Sequence, residues 1–287
     1  MDAVKDKWLV VVNVFAASKK AGSVWKKAAV MLEQAGVPYK AMFTGGEDNA
    51  IEISRKASAA GYRRFVAVGG DGTVHDVLNG IASYVYSSDA SDAVLSDFTL
   101  GVLPVGSGND WVKTTGVPRD VRGAVDVLAE GHTGQQDVVR VSILDRQDHE
   151  VVKRVSYMAN VGGVGLDARV CEIVNRKKEA GKHRVPVRAR VICDGEEVFA
   201  GKYLSIAFGV GKYSGGGMRQ TPLAELGDGL LDIAVIPDIP LMVIAKEAYK
   251  LFTGKFLTIR QVVSARGRVF AVIPYDESLP CQAVSGE

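Results

Sequence analysis

The chain has 287 residues, enough for two domains with separate cores, and its 47% hydrophobic and 24% charged content describes a folded globular protein rather than a disordered one. A formal net charge of +2 is too small to argue for nucleic acid. The three cysteines (Cys171, Cys193, Cys281) lack metal-ligand spacing and read as reduced thiols, and no apolar run approaches the ~18 residues needed to span a bilayer.

Trp8 to Asn13 reads as a short apolar strand that runs into a small-residue loop. A helix follows from about Ser23 to Gln34, stopping at Gly36, and Tyr39 to Phe43 forms a second strand. Asp48 or Asn49 is placed to cap a helix through Ala59, which ends at Gly61. Phe65 to Val68 is a buried strand, followed by a glycine turn and a helix from Val74 to about Tyr84. After a polar linker, Phe98 to Leu103 is a fourth strand, closed by Pro104, and Asp120 to Glu130 a further helix. Strands and helices alternating in units of about thirty residues predict a parallel, doubly wound sheet, with ligands at the carboxyl ends of its strands.

From Gln136 the pattern changes to strands joined by turns: 137–144, 151–161, 185–193, 197–210, 230–237 and 269–274, with one clear helix over 239–252. The expected organisation is a nucleotide-binding α/β domain over 1–135 and a mainly antiparallel β-sandwich domain over 136–287. A basic run (Arg176, Lys177, Lys178, Lys182, Arg184, Arg188, Arg190) is a solvated face or an attraction to an anionic membrane. The first residues show no signal-peptide core, so a cytoplasmic protein with peripheral membrane contact is expected.

Two stretches carry chemistry. Gly69-Gly70-Asp71-Gly72-Thr73 joins the third strand to the next helix; a glycine-rich strand-to-helix turn cradles phosphate through open N–H groups and the positive helix end. It lacks the Lys-Ser/Thr ending of a P-loop and the GxGxxG spacing of a dinucleotide fingerprint. Leu103-Pro104-Val105-Gly106-Ser107-Gly108-Asn109-Asp110-Trp111 follows the fourth strand, with two glycines, a Ser suited to cap a helix, and Asn109 and Asp110 in its first turn. None of His75, His132, His149 or His183 is spaced for a metal site, and none is assigned a catalytic role.

Together these stretches resemble the diacylglycerol kinase catalytic-domain family, which includes sphingosine kinases and bacterial soluble lipid kinases and is related to NAD kinases. The resemblance extends to Asn160-Val-Gly-Gly-Val-Gly-Leu-Asp-Ala168, Gly215-Gly-Gly-Met218 and Asp228-Gly-Leu-Leu-Asp232. It implies an ATP-dependent, Mg²⁺-assisted kinase that phosphorylates a hydroxyl of a diacylglycerol-like or sphingoid lipid at the membrane surface; a homodimer is left open. Gly69, Gly70, Asp71, Gly72 and Thr73 would line the ATP phosphates with Asn13, Thr44, Gly106, Ser107, Asn109 and Asp110, Asp71 lying beside the catalytic Mg²⁺. Asp228, with the backbone oxygens of Glu225 and Leu230, matches a second, structural metal site of bacterial members. The base that readies the acceptor hydroxyl is the glutamate of a late Asp-Gly-Glu. Asp194-Gly195-Glu196 matches its letters but reads as a hairpin turn, whereas Ser285-Gly286-Glu287 matches its position, so the base is assigned to Glu287, with Ser285 in place of the usual Asp.

Two other readings stand beside this one. A NAD kinase-like phosphotransferase on a soluble acceptor would share Gly69–Thr73, but the Gly-Ser-Gly-Asn-Asp-Trp context argues against it. A catalytically silent nucleotide-binding regulator would keep the cradle and lack transfer.

Overall fold

The computed structural model describes residues 4–16, 21–87, 92–106, 108–145, 148, 151–165, 187–275 and 281–286. The chain divides into two compact units, residues 1–134 and 135–287.

The first unit is built on a four-stranded sheet of β1 (Trp8–Val12), β2 (Tyr39–Phe43), β3 (Arg64–Gly69) and β4 (Thr99–Pro104), in the order β2-β1-β3-β4. Every pairing is parallel. All five residues of β1 are buried, as expected of a strand covered on both faces by crossover helices. Trp8, Val10, Val12, Val66, Val68 and Leu103 meet α1 (Ala21–Gln34) and α5 (Val121–Glu130) in one core layer. Helices α2 (Ala50–Ala59) and α3 (Asp71–Val85) pack closely on each other, Gly80 of α3 lying where any side chain would strike the backbone of Ile51. Asn49 caps α2 by accepting from the Glu52 N–H, and Asp120 caps α5 by accepting from Gly123 N–H. Leu9 and Phe65 are wholly buried, each contributing about 2–3 kcal/mol relative to exposure.

Two details differ from expectation. Helix α3 begins at Asp71 rather than Val74, so the glycine turn is absorbed into its first turn with Gly70 as the N-cap. A short helix, α4 (Asp110–Thr115), opens at Asp110 and closes on Gly116 at φ 76°.

The second unit is hydrogen-bonded as one nine-stranded antiparallel sheet in the order β11-β10-β9-β8-β12-β13-β5-β6, with β7 on β9. Its strands are β5 (Val139–Leu144), β6 (Val152–Met158), β7 (Val161–Gly165), β8 (Val187–Cys193), β9 (Glu196–Gly209), β10 (Leu231–Pro237), β11 (Val263–Gly267), β12 (Val269–Pro274) and β13 (Cys281–Gly286). The long β9 pairs with β8 along its first half and with β7 and β10 along its second. A shared core forms where Ile206 and Phe208 of β9 meet Val191, Ile233 and Phe270, the two phenyl rings lying 6.1 Å apart edge-on.

The expected strand over 151–161 is two strands, because the chain breaks pairing at Ala159 and Asn160. The expected helix over 239–252 is likewise two, α6 (Leu241–Glu247) and α7 (Lys250–Thr253). Strands β11 and β13 were not foreseen; both are short, β11 pairing with β10 and β13 lying between the neighbouring β12 and the distant β5. Asp194 and Gly195 form the β8–β9 turn with φ of 48° and 92°, and the Asp194 carboxylate accepts from the N–H groups of Arg268 and Val269. Glu196 therefore opens strand β9, paired with Cys193. Of the basic run, only Arg188 and Arg190 belong to the described residues; both lie on β8, and Arg190 pairs with Glu197.

Candidate active site

In the order β2-β1-β3-β4 the chain moves from β1 to one side and then returns to the other, so the connections leaving β1 and β3 diverge and leave a crevice at their carboxyl ends. The Asn13 loop and the Gly69–Thr73 turn are those two connections. Side chains tie them together. Asn13 Nδ2 donates to Thr73 Oγ1 at 3.1 Å, and Thr44 Oγ1, at the end of β2, donates to Asn13 Oδ1 at 3.4 Å. The backbone N–H of Phe15 also donates to Asn13 Oδ1, which fixes the orientation of the amide.

Gly69 is required by packing. A Cβ there would lie 2.7 Å from the Thr73 Cβ, because the strand end and the first helical turn are in contact. Gly70 has no side chain to cap α3, so this fifteen-residue helix presents its positive N-terminus without a side-chain cap.

The fourth strand joins through Asp71. Its Oδ2 accepts from the Asp110 N–H and its Oδ1 from the Trp111 N–H, both at 2.9 Å. Asp71 thus supplies the cap that α4 lacks locally, since its own N-cap, Asn109, sits in the left-handed region (φ 42°) and caps nothing. Val105 N–H donates to Gly69 O at 2.8 Å, extending the β3–β4 contact into the loops. Asn109 is buried, its Nδ2 donating to Gly106 O, while its Oδ1 has no partner among the described residues and faces Gly70. Asp110 is buried and paired with Lys113 at 2.6 Å.

Asn13, Thr44, Gly69, Gly70, Asp71, Gly72, Thr73, Gly106, Asn109 and Asp110 thus share one end of one sheet. Ser107 and Glu287 lie outside the described residues. Trp111 and Lys113 were missed. The Asp110–Lys113 spacing is a readable helical pair, but nothing in sequence marks Trp111 as a backbone donor to a carboxylate forty positions away.

Each Asp71 oxygen accepts one N–H, and a carboxylate has about four acceptor positions, so capacity remains for a hard cation. The other metal expectation fares differently. Asp228 Oδ1 accepts from Leu230 N–H at 2.9 Å, and its Oδ2 lies 3.2 Å from Arg266 Nη2. The same guanidinium contacts Asp232 Oδ2 at 3.1 Å and donates to Leu223 O at 2.7 Å. Burial pushes the Asp232 carboxyl up while Arg266 pulls it down, and hydrogen bonding to Asp232 raises the pKa of Arg266. Glu225 adds negative charge nearby. Arg266 is one cation shared by two carboxylates with Glu225 nearby, so a divalent ion beside Asp228 would meet the guanidinium together with carboxylate charge that it leaves uncompensated. Among the described residues no group of three or more His, Cys, Asp or Glu is arranged to hold a metal.

The parallel sheet, its switch-point crevice and an open helix end flanked by glycine loops define the class of α/β proteins that seat an anionic ligand at their strand tips. Comparison with known families agrees and narrows it. Residues 7–141 match the diacylglycerol kinase catalytic domain, and residues 182–287 match the YegS C-terminal NAD kinase beta sandwich-like domain. The first unit thus carries a match to a diacylglycerol kinase catalytic domain and the second a match to the C-terminal domain of YegS, the two together spanning most of the chain. It is 25% identical over 259 residues to a diacylglycerol kinase of Mycobacterium tuberculosis, covering 85% of this chain and 78% of that protein. It is 28% identical over 218 residues to a diacylglycerol kinase of Staphylococcus aureus, covering 73% and 64%. The fold matches a solved diacylglycerol kinase structure from Bacillus anthracis with a TM-score of 0.70 at 20% identity, over 98% of this chain and 94% of that one.

Proposed function

We propose that the chain transfers the γ-phosphoryl group of ATP to a hydroxyl of a diacylglycerol-like or sphingoid lipid. The observation that carries this reading is the Asp71 clip, which holds two glycine loops against an uncapped helix end. The ATP phosphates lie over that end. Backbone N–H groups of Gly70 to Gly72 bind their oxygens, the Thr73 N–H being taken by Gly70 O, with the Thr73 hydroxyl and the Asn13–Thr44 pair forming one wall and Gly106, Ser107, Asn109 and Asp110 the other. Mg²⁺, held beside Asp71 when bound, supplies positive charge that offsets the phosphate oxygens. The lipid hydroxyl attacks the γ-phosphorus, Glu287 accepts its proton, and ADP departs. No helix among the described residues is long and apolar enough to cross a membrane, so the acceptor would be met at the bilayer surface.

The test is Asp71→Asn, which keeps one acceptor oxygen for the α4 cap. Transfer of label from ATP into a lipid panel should fall by roughly 100-fold or more, while the protein stays folded with a lowered thermal transition, because the new NH2 faces one of the two N–H donors, at a cost of about 1–3 kcal/mol. Near-normal turnover would overturn the assignment. Nucleotide binding without transfer in the unaltered protein would select the silent regulator instead.

A further inference from the structure

Outside this site, the helical segment of the second unit leaves apolar side chains in solvent. Met242 is 84% exposed, and Tyr249 and Phe252 are each 59% exposed. Ala248 and Tyr249, which link α6 to α7, keep right-handed helical backbone, so the path from 241 to 253 continues in one direction. Steps of seven and three residues then bring Met242, Tyr249 and Phe252 to one side of it. A groove of about 470 Å³ runs beside this row, with Lys246, Lys250 and Arg260 on its walls together with Glu247. Within 241–260 the charged residues are Lys246, Lys250, Lys255 and Arg260 against Glu247 alone, and Glu247 is held by Lys250 at 2.6 Å. Lys246, Lys255 and Arg260 are exposed. Below, Phe256 and Ile259 are buried against Ala234, which anchors the groove floor to β10.

An apolar row that includes two aromatic residues, bordered by four cations against one acid, fits the boundary of a bilayer. There the rings and the thioether enter the headgroup layer and the cations meet lipid phosphates. We infer that the 241–260 surface is where the second unit docks on an anionic membrane leaflet, the groove with Lys246 and Arg260 receiving a lipid phosphate headgroup. This deepens the lipid-kinase reading but concerns binding alone, so an inactive site at Asp71 would leave it standing.

The experiment is co-sedimentation of the full chain, without nucleotide, with phosphatidylcholine vesicles containing or lacking phosphatidylglycerol. Binding should require the anionic lipid and weaken as salt is raised. Lys246→Glu with Arg260→Glu should reduce binding by at least about 10-fold, since each surface cation is worth roughly 5-fold. Met242→Ser with Phe252→Ser should leave a weaker binding that salt abolishes. Unchanged thermal transitions and unchanged self-association in these variants complete the expected result. Equal binding of the unaltered and charge-reversed proteins would overturn the inference. So would no vesicle binding at all, or variants that change only the oligomeric state, which would make the surface a protein contact.

Discussion

Carboxylate clips hold loops in both units, and the Asp71 clip and the Asp228–Asp232 pair are satisfied in opposite ways. In the first unit Asp71 is held by two backbone N–H groups, which contribute partial charges and leave its full negative charge in place. In the second, Asp228 and Asp232 share the guanidinium of Arg266, a formal cation that offsets one of their two charges and also binds Leu223 O. The same residue type therefore serves different ends. A carboxylate held by amides meets no formal cation and keeps its attraction for one, whereas the two that share a single arginine are partly compensated and act as a fastener.

The largest break in this comparison is expected at Gly69. Gly69→Ala puts a methyl group against Thr73, and overpacking of about 1–3 kcal/mol should lower the thermal transition and remove phosphoryl transfer together. A folded, active Gly69→Ala protein would mean that the turn is not held as tightly as its packing requires.

Arg266→Gln sharpens the other side. Loss of partly exposed ion pairs and one carbonyl contact should cost about 1–2 kcal/mol at neutral pH. Because burial raises the Asp232 carboxyl, its protonated form favours the folded chain, and that contribution is lost as pH rises through the raised value. Arg266 offsets the loss, so the gap between variant and unaltered protein should widen from about pH 4 to 7 in chemical denaturation. In the unaltered, nucleotide-free protein a chelator should not shift the thermal transition; a fall that Asp228→Asn abolishes would place a divalent ion at Asp228.

The smallest effect belongs to Asn13→Ala. It removes one hydrogen bond to Thr73 and frees Thr44, and should raise the KM for ATP by roughly 3–10-fold, about the worth of one hydrogen bond, with little change in stability. An unchanged KM would separate the Asn13 loop from the nucleotide site.

Much of this was legible because glycine and strand periodicity are local signals. The buried run Phe65–Val68 followed by glycines located the turn, and Asp194-Gly195 between two strand-like runs located a hairpin whose φ values are both positive. What was not legible depends on distance along the chain. The start of α3 was misplaced because Gly70 offers no capping side chain to mark it. Asp71 reads in sequence as a metal-side carboxylate, and only the approach of β4 to β3 shows that it caps α4. Arg266 sits on a strand recognisable only through its pairing with β10, so its bridge to Asp228 and Asp232 left no mark near either aspartate.

The Asn13 amide has a directional consequence. With its oxygen committed to Phe15 N–H and the Thr44 hydroxyl, only its nitrogen faces Thr73, where it takes up a lone pair of the threonine oxygen. The hydrogen of that hydroxyl is not consumed by this bond. Thr73 thus keeps a hydrogen to donate, and Asn13→Asp, whose side chain offers only acceptors, would draw that hydrogen onto itself.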